Sequence, residues 1–91
     1  EIDRASHEVR VEGKPARLTT TEFRILSLLA ERPGEVFTRA IMLDRLQEAG
    51  KIFERTLDRH INNLRKKIER DNRNPTHVVT VYGVGYKLRR P

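Results

Sequence analysis

Leu57, Ile61, Leu64 and Ile68 are spaced four, three and four residues apart, and at about 100° per residue all four fall within one narrow sector of a helix. That face belongs in a core. Arg55, Arg59, Asn62, Lys66 and Arg70 project from the opposite side of the same wheel. The spacing therefore predicts a helix over about 54–70 that is apolar on one face and cationic on the other. Asp71-Asn72-Arg73-Asn74-Pro75 stops it and begins a loop.

Charge is concentrated in the same place. Residues 1–53 carry nine basic and nine acidic side chains, whereas 54–73 carry seven and four, and Lys87, Arg89 and Arg90 complete the net charge of +6. Such asymmetry points to an anionic partner, either nucleic acid or a membrane surface, with a merely solvated helix as the alternative.

The remaining elements can be read from their punctuation. Ile2, then Val9 and Val11, then Ala16 and Leu18 alternate around Glu12-Gly13-Lys14-Pro15, the pattern of a small amino-terminal antiparallel sheet. Thr19 with Glu22 three residues later is a capping box, and Leu18 with Phe23 has hydrophobic-staple spacing. Phe23, Leu26, Leu29 and Ala30, widened by Ile25 and Leu28, give this first helix a buried stripe, and Pro33-Gly34 ends it. Thr38 is a second N-cap, opening a helix marked by Ile41, Met42, Leu43 and Leu46 that closes near Gly50. His77 to Val81 and Tyr86-Lys87-Leu88 form a hairpin around Gly83-Val84-Gly85, with both glycines expected at positive φ.

Ninety-one residues make one domain, 1–91. With no cysteine, disulfides, iron–sulfur clusters and cysteine nucleophiles are excluded. No apolar run reaches the ~18 residues of a membrane span, and Glu-Ile-Asp-Arg lacks a signal peptide's charged and apolar regions, so secretion is not expected. A cytoplasmic location and no membrane partner are expected. His7, His60 and His77 sit on different elements without a carboxylate at ligand spacing. No Gly-rich loop precedes a helix and no nucleophilic triad can be assembled, so no enzyme, cofactor, metal or catalytic residue is expected.

Three helices, the third basic on its outer face, then a Gly-tipped hairpin make an α+β winged helix-turn-helix. The ~12 Å major groove of B-DNA admits one helix, and a flanking hairpin (about 78–88) can follow the backbone to the minor groove. The segments 18–26, Pro33-Gly34-Glu35-Val36-Phe37-Thr38-Arg39, 54–68 and Thr80-Val81-Tyr82-Gly83-Val84-Gly85-Tyr86-Lys87-Leu88 resemble the effector domain of OmpR/PhoB-type response regulators. The resemblance implies a transcription factor of a two-component system. An amino-terminal receiver domain, absent from this chain, is phosphorylated by a sensor kinase and places two effector domains on tandem direct repeats of double-stranded DNA. It also implies a four-stranded amino-terminal sheet, and a loop between the second and third helices that can touch RNA polymerase. That loop often follows a Trp in the family; Leu46-Gln47-Glu48-Ala49-Gly50 has none, and the stretch 48–53 is short.

Carried over by position, the family's DNA contacts fall on Arg55, Thr56, His60, Asn62, Asn63 and Arg65 of the recognition helix and on Thr80 and Tyr82 of the wing. The cationic face adds Arg59 and Lys66. The family often has arginine where this chain has Asn62, Asn63 and Tyr82, and asparagine shifts readout from guanine O6/N7 toward adenine N6/N7. Tyr82 leaves the wing tip less charged, with Lys87 or Arg89 to compensate. Blander roles stand beside these: Asp58 pairing with Arg55 or Arg59 at the surface, a structural hydrogen bond for His60, a solvated Lys67, and a core position for Tyr86. A protein-docking winged helix would show aromatic or aliphatic anchors on the third helix, where Arg, Lys and Asn stand. Base stacking on RNA would have Tyr82 alone.

Overall fold

The computed structural model describes residues 2–3, 7–47 and 54–90, with the side chains of 2 and 3 left aside. In chain order the elements are β1 (Ile2–Asp3), β2 (Glu8–Val11), β3 (Lys14–Arg17), α1 (Thr20–Ala30), β4 (Phe37–Thr38), α2 (Arg39–Leu46), α3 (Glu54–Ile68), β5 (Val78–Val81) and β6 (Gly85–Leu88). Three helices lie between an amino-terminal sheet of order β1-β2-β3 and a carboxy-terminal sheet of order β4-β6-β5, all pairings antiparallel. This is a winged helix-turn-helix. Among the described residues the first sheet has three strands, where the family resemblance implied four.

Local chemistry starts each helix where the sequence places it. The Thr19 hydroxyl accepts from the Glu22 N–H at 3.1 Å while the Glu22 carboxylate accepts from the Thr19 N–H at 3.0 Å, closing the capping box. Thr38 caps α2 by accepting from the Ile41 N–H at 3.1 Å. α2 ends at Leu46 with Gln47 as its cap; the expected closure at Gly50 lies outside the described residues. α3 ends at Ile68, two residues short of the expected 70.

The core follows the periodicities. Ile25 and Leu29 of α1, Met42 of α2 and Leu57, Ile61 and Leu64 of α3 are fully buried, so the three helices meet on the stripes that their spacing defines. Val9 and Leu18 close the core on the amino-terminal side, and Val78 and Tyr86 on the other. Lys67, expected in solvent, instead reaches Glu22: its Nζ lies 2.6 Å from a carboxylate that is 3% exposed. The capping residue of α1 is thereby tied to α3, because a buried carboxylate needs a cation as well as its one backbone donor.

The glycines of the wing serve two different purposes. Gly83 has φ +77° and supplies the left-handed residue of the turn. Gly85 does not adopt positive φ. A Cβ built there would lie 2.0 Å from the Phe37 carbonyl oxygen, so its missing side chain is what lets β4 pair with β6. β4 itself was not anticipated, since two residues give no alternation to read.

Candidate nucleic-acid interface

α3 presents Arg55, Arg59, Asn62 and Lys66 to solvent, with Thr56, His60 and Asn63 half-buried along its flanks. The expected cationic face is therefore real over its first three turns. Arg70, beyond the helix end, bonds to Glu12 of the β2–β3 turn at 2.8 Å and is drawn toward the amino-terminal sheet. On the wing, Tyr82 is 90% exposed.

Arg65, an expected DNA contact, is engaged within the domain itself. It is 8% exposed, its Nε donates to the Val78 carbonyl at 2.9 Å, and an Nη donates to the Thr80 hydroxyl at 2.7 Å. Its guanidinium also sits 5.5 Å from the centroid of the Tyr86 ring. Arg65 lies one position past Leu64 and thus turns toward the inner side of the hairpin, joining α3 to β5 and β6. Thr80, expected on the DNA side, is half-buried as its acceptor.

Asp58 is met from two other elements. Its carboxylate is engaged by Arg39, whose Nη1 lies 2.5 Å away, and by the Tyr86 hydroxyl, which donates to it. The Tyr86 hydrogen bond, reinforced by Arg39, holds the Asp58 carboxyl below its ordinary range. Burial, reinforced by the adjacent carboxylate, pushes the Tyr86 phenol up to about 12. Tyr86 is buried, as expected.

Two residues that sequence reasoning passed over complete this arrangement. Arg39 follows the α2 cap, donates to the Glu54 carbonyl at 3.1 Å, and through its own N–H donates to the Val84 carbonyl at 3.3 Å. One residue thereby touches the start of α3 and the wing turn. Glu69 is 9% exposed, and its carboxylate accepts from the N–H groups of Thr76, His77 and Val78 at 2.9–3.1 Å, fixing where the chain enters β5. No periodicity marks either one. An arginine immediately after a helix cap and a glutamate at a helix end look like ordinary surface charges until their distant partners are known.

The geometry is that of a cationic helix face and a projecting hairpin held at a fixed mutual position. Among the described residues no group of three or more His, Cys, Asp or Glu could hold a metal ion, and no helix is long and apolar enough to cross a membrane.

Comparison with known proteins agrees with this geometry. Residues 13–88 match the family model described as the carboxy-terminal part of transcriptional regulatory proteins. The sensory transduction protein RegX3 of Mycolicibacterium smegmatis is 44% identical over 88 residues, covering 96% of this chain and 39% of that protein. The chain thus spans about two-fifths of the length of that curated relative. The response regulator DrrB of Thermotoga maritima, an OmpR/PhoB homologue, superposes with a TM-score of 0.84 at 37% identity, over 98% of this chain and 41% of that one. The AdeR DNA-binding domain, solved in complex with an intercistronic region, gives 0.79 at 36% identity, over 100% and 93%. The chain belongs to the family of carboxy-terminal effector domains of transcriptional regulatory proteins, of the OmpR/PhoB response-regulator type.

Proposed function

We propose that this domain binds duplex DNA sequence-specifically as the output domain of a response regulator, with α3 in the major groove and the β5–β6 wing at the adjacent minor groove. The observation that carries this reading is the solvent face of α3, with Arg55, Arg59, Asn62 and Lys66 exposed on a helix whose position against the wing is fixed by Arg65. In support, the similar AdeR domain was solved on DNA. Arg55, Arg59 and Lys66 serve phosphates, Asn62 reads an adenine N6/N7 edge, and Thr56, His60 and Asn63 contact the flanks of the same groove. Arg65 and Thr80 position the wing rather than touch DNA.

The domain acts by binding and not by catalysis. In its full-length protein it follows a receiver domain phosphorylated by a sensor kinase, works in the cytoplasm, and pairs with a second copy on tandem direct repeats.

The test is site selection from random duplexes, followed by titration of the selected site. Four to six phosphate contacts, from Arg55, Arg59 and Lys66 together with cations of the carboxy-terminal strand such as Lys87 and Arg89, give a slope of log K against log salt of about -4 to -5. Asn62→Ala removes discrimination at one A·T pair, worth ~1 to 3 kcal/mol, whereas Lys66→Ala weakens all sequences alike and makes the slope shallower by about one. Absence of duplex binding at low salt refutes the reading. Equal loss on every single-base variant in Asn62→Ala refutes the role given to Asn62.

A further inference from the structure

The two parts of the interface differ in chemistry. The outer face of α3 offers three exposed cations, Arg55, Arg59 and Lys66, but from Val78 to Tyr86 the hairpin contains no charged residue, and the first cation after it is Lys87. At the tip Tyr82 is 90% exposed and Val84 45%, and no other large hydrophobic side chain among the described residues is as exposed as Tyr82. This tip is ordered by its own backbone. The Val84 N–H donates to the Val81 carbonyl at 3.0 Å, Arg39 N–H donates to the Val84 carbonyl at 3.3 Å, and Gly83 takes the left-handed position between them. A rigid turn thus holds an aromatic ring in water, on the hairpin that Arg65 fastens to α3.

Resting on the duplex-binding reading above, we propose that Tyr82, with Val84 beside it, packs against the deoxyribose walls of the minor groove, so that the tip of the wing holds DNA by desolvation and not by charge. Sugar edges are the apolar surface a minor groove offers, and the patch is continuous with the DNA-facing helix through the Arg39 and Arg65 contacts. Two consequences follow from the chemistry. The share of affinity that Tyr82 supplies is independent of salt, because an uncharged ring releases no counterions. The wing is also indifferent to the enhanced negative potential of narrow A·T-rich minor grooves, which attracts arginine.

The experiment measures binding of the intact domain to its selected duplex between 50 and 200 mM salt, for the wild type and for Tyr82→Ala, Tyr82→Phe and Tyr82→Arg. Covering on the order of 60 Å² of ring corresponds to about a tenfold change in Kd. Tyr82→Ala is expected to lose about that factor at every salt concentration, with its slope unchanged. Tyr82→Phe is expected to stay within about twofold of wild type. Tyr82→Arg is expected to steepen the slope by about one and to gain preference for duplexes with an A-tract beneath the wing. With Tyr82 so exposed, all three variants keep the wild-type melting temperature. Wild-type affinity in Tyr82→Ala overturns the proposal, as does a loss in Tyr82→Phe equal to that in Tyr82→Ala, which would assign the contact to the hydroxyl. Either result leaves duplex binding itself standing. Failure of the wild type to bind any duplex removes that reading instead.

Discussion

Replacing Arg65 by methionine separates a strut from a DNA contact. Methionine keeps most of the buried volume and the unbranched stem, and removes the guanidinium that donates to the Val78 carbonyl and the Thr80 hydroxyl at 2.9 and 2.7 Å. Hydrogen bonds from a charged group are worth ~1.5 to 3 kcal/mol each, and the contact over the Tyr86 ring adds ~0.5 to 1 kcal/mol. These terms share one side chain and do not add, and relief of desolvation offsets part of the loss, so the net cost is about 3 kcal/mol. At ~4 to 8 °C per kcal/mol for a domain of this size, the thermal midpoint should fall by about 12 to 24 °C. DNA binding measured well below that midpoint should keep the wild-type salt slope, because the guanidinium faces the hairpin and neutralises no phosphate. Lys66→Ala, on the open face, is the control that loses about one unit of slope. Thermal melts and salt titrations on the two variants decide the matter. An Arg65→Met protein as stable as wild type with a slope shallower by one would show that Arg65 points to DNA and that the strut argument is wrong.

Gly85→Ala is expected to abolish the β4–β6 pairing, since its Cβ meets the Phe37 carbonyl oxygen at 2.0 Å; Gly83→Ala meets nothing within 4 Å and should cost only the ~1 to 2 kcal/mol of a left-handed alanine, both read by denaturant titration. Lys67→Met strands the buried Glu22 carboxylate with only its backbone donor, and should cost ~1 to 2 kcal/mol while leaving DNA affinity unchanged in a binding titration. Tyr86 gives a pH dependence. Its folded pKa of about 12 lies above the ordinary 10.0, so its contribution to stability is complete below pH 10.0 and is lost as pH rises toward 12. Tyrosinate absorbance in a Tyr82→Phe background, where Tyr86 is the sole tyrosine, should titrate in that upper range. Tyr86→Phe should flatten the alkaline loss seen in chemical melts.

Periodicity and capping chemistry are local, and the sequence alone therefore determined the three helices, the Thr19 and Thr38 caps, the buried faces and the cationic face of α3. A residue's side of a helix follows from its spacing, which is why Arg59, Asn62 and Lys66 were legible as exposed. The sequence could not tell which of the remaining charges would meet partners far along the chain. Arg65 lies next to the core stripe and, read without its surroundings, is one more cation on a basic helix. Only the docking of the hairpin against α3 brought Val78 and Thr80 to it, 13 and 15 residues away. The same holds for Asp58 and Arg39, 19 residues apart, for Lys67 and Glu22, 45 apart, and for Gly85, whose glycine is required by the strand beside it and not by its own φ. Ion pairs and close approaches across elements depend on how the elements pack, and that packing is fixed only once the apolar stripes of all three helices are buried together.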